Sequence, residues 1–210
     1  MPNFDFENKY PGKIICGVDE AGLGPLAGPI VVAACVISNR NMSTELLKNI
    51  DDSKKLSHKK REHLFDTISI SPDIHYAISV IDSNVIDEIG LSKAWQRGIS
   101  EAIGGLSEFA DVCLIDGNRS IPTPDRIIET IVKGDQKSYS IATASIIAKV
   151  TRDRIMQEIH KEYPNYGFDK HVGYGTKLHL DMLGTHGACP YHRRTYSPVK
   201  RVIELFDIPC

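Results

Sequence analysis

Four carboxylates stand where apolar runs stop. Asp19 and Glu20 close KIICGVDE (13–20), and Asp116 follows DVCLI (111–115), each leading straight into a glycine-containing turn, DEAGLG and DGN. Side chains alternate between faces along a strand, but where a strand bends into a loop adjacent acids can reach one site. The C-terminal rim of an α/β sheet is also where ligands bind. Asp135, in KGD, falls at a further junction, between an apolar run and a helix expected from Ser138. Each acid alone reads equally as a turn residue or a helix cap. Together they point to a metal site, because neighbouring carboxylates raise each other's pKa unless a cation intervenes. Oxygen ligands without clustered His or Cys suit Mg²⁺ or Mn²⁺ rather than zinc. Asp153, in TRDR, lies eighteen positions past Asp135. At helical rise that is about 20–27 Å away, too far for one site. With Lys149 four residues earlier it is expected in an exposed helical ion pair.

Those acids need a sheet to hold them. Lys13–Glu20 and Ile30–Ile37 read as two strands around the glycine loop AGLGPLAGP, with a helix opening at Ser57 and a third strand over Ile74–Ile81. Helical spacing returns from Ser83 to Leu106 and stops at Gly104-Gly105. Asp111–Ile115 and Ile127–Val132 are short buried strands, and a long helix runs from Ser138 to a stop at Pro164. Residues 164–200 are irregular, with one short helix near Thr176–Leu183. The expected architecture is α/β: a five-stranded mixed sheet flanked by helices. A catalytic domain over 1–163 would carry a small C-terminal helical and irregular appendage over 164–210.

Composition excludes several classes. The formal net charge is −2, from 25 Lys plus Arg against 27 Asp plus Glu, so no global basic excess marks a nucleic-acid binder. A mean hydropathy of −0.20 and no apolar run near the ~20 residues of a spanning helix exclude a membrane-spanning helix bundle. The five cysteines are odd in number and never C-x-x-C, which suggests buried thiols in a reducing, cytoplasmic setting. No oligomerisation signal is visible, so a monomer is expected.

DEAGLGPLAGP (19–29), DDSKKLS (51–57), DGN (116–118), KGDQKSYSIATASIIAKVTRDR (133–154) and YGFDKHVGYGTKLHL (166–180) resemble, in order, the motif series of bacterial ribonuclease HII. The resemblance implies a ribonuclease-H-like fold. It also implies an endonuclease that cuts the RNA strand of RNA/DNA hybrids and single ribonucleotides embedded in duplex DNA, leaving 5′-phosphate and 3′-hydroxyl ends by a two-metal in-line attack. Its catalytic, metal-binding set falls on Asp19, Glu20, Asp116 and Asp135.

The resemblance also assigns substrate contacts. Where the family usually reads glycine, arginine, glycine, this chain has Gly22, Leu23 and Gly24, so the main-chain contact to the ribose and phosphate survives without the cation. Tyr174 matches the tyrosine that stacks on the sugar and senses the 2′-hydroxyl. Val172 replaces a frequent lysine. Lys54, Lys55 and Ser138 are expected phosphate contacts, whereas Arg193, Arg194, Lys200 and Arg201 form a second basic run of the kind usually found on solvated faces. Two alternatives stand beside this reading: a binding module whose glycine loop cradles phosphate without catalysis, and an inactive member of the same family.

Overall fold

The computed structural model describes residues 1–41, 44–50, 56–106, 109–123 and 125–206. Five strands, β1 (Ile15–Ala21), β2 (Ile30–Ile37), β3 (Ile74–Ile81), β4 (Val112–Asp116) and β5 (Ile127–Ile131), form one mixed sheet in the order β3-β2-β1-β4-β5. β1 runs antiparallel to β2 and parallel to β4, and β4 runs parallel to β5. The helices are α1 (Thr44–Asn49), α2 (His58–Ser69), α3 (Ser83–Ile89), α4 (Leu91–Gly104), α5 (Tyr139–Glu162), α6 (Phe168–His171), α7 (Lys177–His186) and α8 (Ser197–Phe206). All eight residues of β2 are buried, as a continuous Ile/Val/Ala run predicts for a strand covered on both faces. The four cysteines among the described residues, Cys16, Cys35, Cys113 and Cys189, are free and buried.

Two helical expectations change. The pattern over 83–106 is two helices, because Gly90 takes a left-handed φ of 81° and donates its N–H to Ile86, ending α3 before α4 begins. The end of the chain, expected only as part of a helical and irregular appendage, contains α8. Its apolar face, with Val199 buried, packs with Leu26 and Leu183.

The chain divides into two compact units that do not follow a single cut in the sequence. The first comprises 1–21, 31–79 and 96–150, and the second 22–30, 80–95 and 151–210. In the first, α5 lies so close to β1 that a Cβ on Gly17 would collide with the Ser140 and Ile141 backbone. Small residues (Ala142, Ala144, Ala148) permit that approach, and all three are fully buried. The start of α5 is anchored by the N-terminal arm. One oxygen of buried Glu7 accepts from the Ser138 and Ser140 hydroxyls (2.6 and 2.7 Å) and from the Ser140 N–H (3.1 Å), a carboxylate set at a helix N-terminus. In the second unit the glycine loop 22–30 belongs with 151–206, not with the strands that flank it in sequence. Ala27 joins a core with Met156, Ile159, Tyr166, Phe168 and Cys189.

Candidate active site

The four predicted acids all belong to the first unit. Asp19 and Glu20 lie at the C-terminal end of β1, and Asp116 ends β4. The parallel register pairs Val18 with Ile115, so Asp19 and Asp116 are the next residues along neighbouring strands. Asp116 Oδ1 accepts the Gly134 N–H at 2.6 Å, which draws the KGD turn, and Asp135 within it, to the same rim. Lys133 makes that turn in the left-handed region (φ 57°). A Cβ on Gly134 would crowd Ile141 and the Asp116 carboxylate. Asp19 is buried and accepts the Glu20 N–H at 2.8 Å as well as a hydrogen bond from Ser145 on α5. Burial above all, then the charges of Glu20 and Asp116, push its carboxyl well above the usual carboxylate range. Like charges crowded at a buried strand end fit a site for a hard divalent cation, which would offset that repulsion. Among the described residues, no three His, Cys, Asp or Glu side chains are already gathered as a closed ligand set. An oxygen site that leaves positions to water and substrate phosphate is the arrangement Mg²⁺ commonly adopts.

The predicted substrate residues fall elsewhere. Gly22, Leu23 and Gly24 form the glycine loop of the second unit, and Tyr174 stands beside it, half-exposed: a Cβ on Gly24 would touch the Tyr174 ring at 3.7 Å. The loop is held from beneath by two buried arginines. Arg193 donates to the carbonyls of Gly22, Leu23 and Gly28, and Arg152 to those of Ala27 (3.1 Å), Pro29 (2.9 Å) and Val172 (2.9 Å). Burial, then the nearby Arg193 charge, bring Arg152 down to about 10, so it stays protonated at neutral pH. In a trans peptide the N–H points opposite to its C=O. With the Gly22 and Leu23 carbonyls turned toward Arg193, the N–H groups of Leu23 and Gly24 are aimed the other way, as an anion or hydroxyl would require.

Three expectations need correction. Ser138 has no exposed surface and its hydroxyl donates to Glu7, so it caps α5 rather than reaching a phosphate. Asp153 is buried rather than exposed, and its charge supports that of Arg152. Arg193 is not on a solvated face, since it is fully buried under the glycine loop. Lys54 and Lys55 lie outside the described residues. Reasoning from sequence missed Arg152 and Arg193. Nothing in the letters marked them, since Arg152 stands among Lys149, Asp153 and Arg154 and Arg193 opens a basic run, both as on a solvated face.

A family model described as ribonuclease HII matches residues 16–199. The chain belongs to the ribonuclease HII family. Similar proteins include ribonuclease HII of Chlamydia caviae, 45% identical over 202 residues that cover 94% of this chain and 92% of the relative. Ribonuclease HII of Burkholderia mallei is also 45% identical, over 98% of this chain and 92% of its own length. Among solved structures, ribonuclease H2 of Pyrococcus horikoshii superposes with a TM-score of 0.77 at 27% identity, covering 93% of this chain and 99% of that one. As a ribonuclease HII the chain is a metal-dependent endoribonuclease acting on RNA/DNA hybrids. No helix among the described residues is long and apolar enough to cross a membrane.

Proposed function

We propose that this ribonuclease HII cuts duplexes at single embedded ribonucleotides as well as along the RNA strand of hybrids, with Asp19, Glu20, Asp116 and Asp135 holding Mg²⁺ or Mn²⁺. The carrying observation is the raised, buried carboxyl of Asp19 beside Glu20 and Asp116, an arrangement unfavourable without a cation. The four carboxylates would hold divalent ions whose Lewis acidity would serve in-line attack of water on phosphorus and departure of the 3′-oxygen, leaving a 5′-phosphate. The protein's own part is to fix the acids. Ser145 and the Glu20 N–H hold Asp19, and the Gly134 N–H holds Asp116. The Leu23 and Gly24 N–H groups and the Tyr174 ring read the ribose, the one sugar whose 2′-hydroxyl separates RNA from DNA. The working form is a cytoplasmic monomer.

The test is Asp116→Asn. The amide oxygen can still accept the Gly134 N–H, so the KGD turn and the thermal midpoint should be unchanged. Divalent-dependent cleavage of a duplex with one ribonucleotide should fall about a thousandfold or more, roughly 4 kcal/mol of transition-state stabilisation. Full activity in that variant overturns the assignment of the metal site.

A further inference from the structure

Tyr174 is 47% exposed, so its ring is not held by being buried. Its main chain is fixed instead. The Tyr174 N–H donates to the His171 carbonyl (2.9 Å), and its carbonyl accepts the Thr176 N–H (2.8 Å) and faces His179 Nδ1 at 2.9 Å. Behind that contact, His179 Nε2 lies 3.0 Å from His192 Nε2, and His192 Nδ1 lies 3.0 Å from the Cys189 N–H. Both rings are buried, His179 at 0% and His192 at 1% exposure. His171 stacks on His179 with centroids 4.6 Å apart, and Phe168 and Tyr166 close the remaining sides.

The partners dictate every proton. His179 Nδ1 faces a carbonyl and must donate. A neutral His179 therefore accepts at Nε2. His192 Nδ1 faces an N–H and must accept, so a neutral His192 donates at Nε2. The bonds then run one way, from the Cys189 N–H, with the Cys189 thiol also 3.1 Å from His192 Nδ1, through His192 and His179 to the Tyr174 carbonyl. A proton added to either ring sets N–H against N–H at one of the links. The same segment carries Arg193 one residue on, and Ala27 bridges to His192, so the piece of chain that ends this relay also grips the glycine loop.

We propose that the His192–His179 relay is a specificity device of the enzyme, holding the Tyr174 main chain so that its ring meets the sugar at the ribonucleotide. His179 and His192 are positioning residues and do not touch substrate. The inference rests on the reading of Tyr174 as the ribose-sensing residue, and its test separates the two.

Cleavage of a duplex with one ribonucleotide and of a continuous RNA/DNA hybrid would be compared for wild type, Tyr174→Ala, His179→Leu, His179→Asn, His192→Gln and the double variant His179→Leu/Tyr174→Ala. His179→Leu leaves the Tyr174 carbonyl short of a donor and should cut kcat/KM on the single-ribonucleotide duplex about tenfold, with a smaller loss on the hybrid. His179→Asn, whose amide nitrogen sits near the Nδ1 position, should restore most of it. His192→Gln, which can still donate to His179 Nε2, should remain within about threefold of wild type. In the Tyr174→Ala background the His179→Leu change should add nothing, the signature of two residues acting as one. Should His179→Leu fail to fold, His179→Gln, whose amide sits near Nε2 and leaves the Tyr174 carbonyl without its ring donor, takes its place, because a purely structural role predicts equal losses on both substrates. Loss of selectivity in Tyr174→Ala but none in folded His179→Leu, or in the His179→Gln that replaces it, overturns the relay. An unchanged Tyr174→Ala overturns the reading of Tyr174 itself.

Discussion

Leu23 occupies the centre of the glycine loop, and its main chain and side chain have different fates. Its carbonyl is taken by Arg193 and by the Tyr196 hydroxyl, which leaves the N–H groups of Leu23 and Gly24 aimed outward, while its side chain is only half-buried and brings no charge. A cation at this position should therefore add to recognition without disturbing the loop. Leu23→Arg should tighten binding of a ribonucleotide-containing duplex by about 13- to 160-fold, the ~1.5–3 kcal/mol of a charge-assisted bond, and steepen the dependence of affinity on salt. Equilibrium binding at three salt concentrations measures both, and an unchanged slope would place Leu23 away from phosphate. The four acids were legible in the sequence because strand ends and glycine turns mark such positions. Arg193 and His192 were not, since a polar residue whose partners are buried with it has the same letter as one on a wet surface. Val172 hid a further feature: it is β-branched yet held at φ 43°, a conformation kept in place by its contact with Arg152.

Segments distant in sequence fix both halves of the chemistry. The N-terminal arm delivers Glu7 to the start of α5, and α5 delivers Ser145 to Asp19. The stretch 189–193 delivers His192 to α7 and Arg193 to the glycine loop. Arg193 fills the loop's inner side as only a planar fork can, and its removal strands the Gly22 and Gly28 carbonyls and leaves that of Leu23 to the Tyr196 hydroxyl alone. Arg193→Met should destabilise the protein by about 3–5 kcal/mol, the range for breaking a buried charged network, and Arg193→Lys by less, since one ammonium cannot fork to all three. Denaturant midpoints at constant slope read this directly. All five strands could be placed to within two residues from their apolar runs, and β2 and β3 to the residue. The break at Gly90 could not, because the apolar spacing of α3 continues almost in phase into α4. α8 was obscured by the irregular segment before it, though its own periodicity is strong.

Across the whole chain, a net charge of −2 conceals buried groups whose titration opposes one another. Burial above all, with repulsion from His171 at His179 and from His179 and His171 at His192, holds both rings at about 4 in the folded protein, where they also face Cys189 and Tyr166. The unfolded chain binds protons at these residues below about pH 6.5. Between pH 6.5 and 4 unfolding therefore takes up protons, so their contribution is complete above about 6.5 and is lost as pH falls toward 4. Asp19 acts in the other direction. Its raised carboxyl keeps a proton when folded that the unfolded chain has released, so stability contributed there declines as pH rises. In the metal-free protein the two trends partly cancel. Asp19→Asn removes one of them, and its stability should fall more steeply on acidification from pH 6.5 than that of the wild type, approaching about two protons taken up per molecule unfolded. His192→Gln in the same background should lower that slope by about one proton. Mg²⁺, binding only the folded ionised site, should raise the wild-type midpoint more at pH 8 than at pH 5 and leave Asp19→Asn less affected. Chemical denaturation across pH 4.5–8, with and without Mg²⁺, measures all three slopes. Parallel curves for wild type and Asp19→Asn would show that Asp19 does not carry the strain on which the proposed cation site at this rim rests.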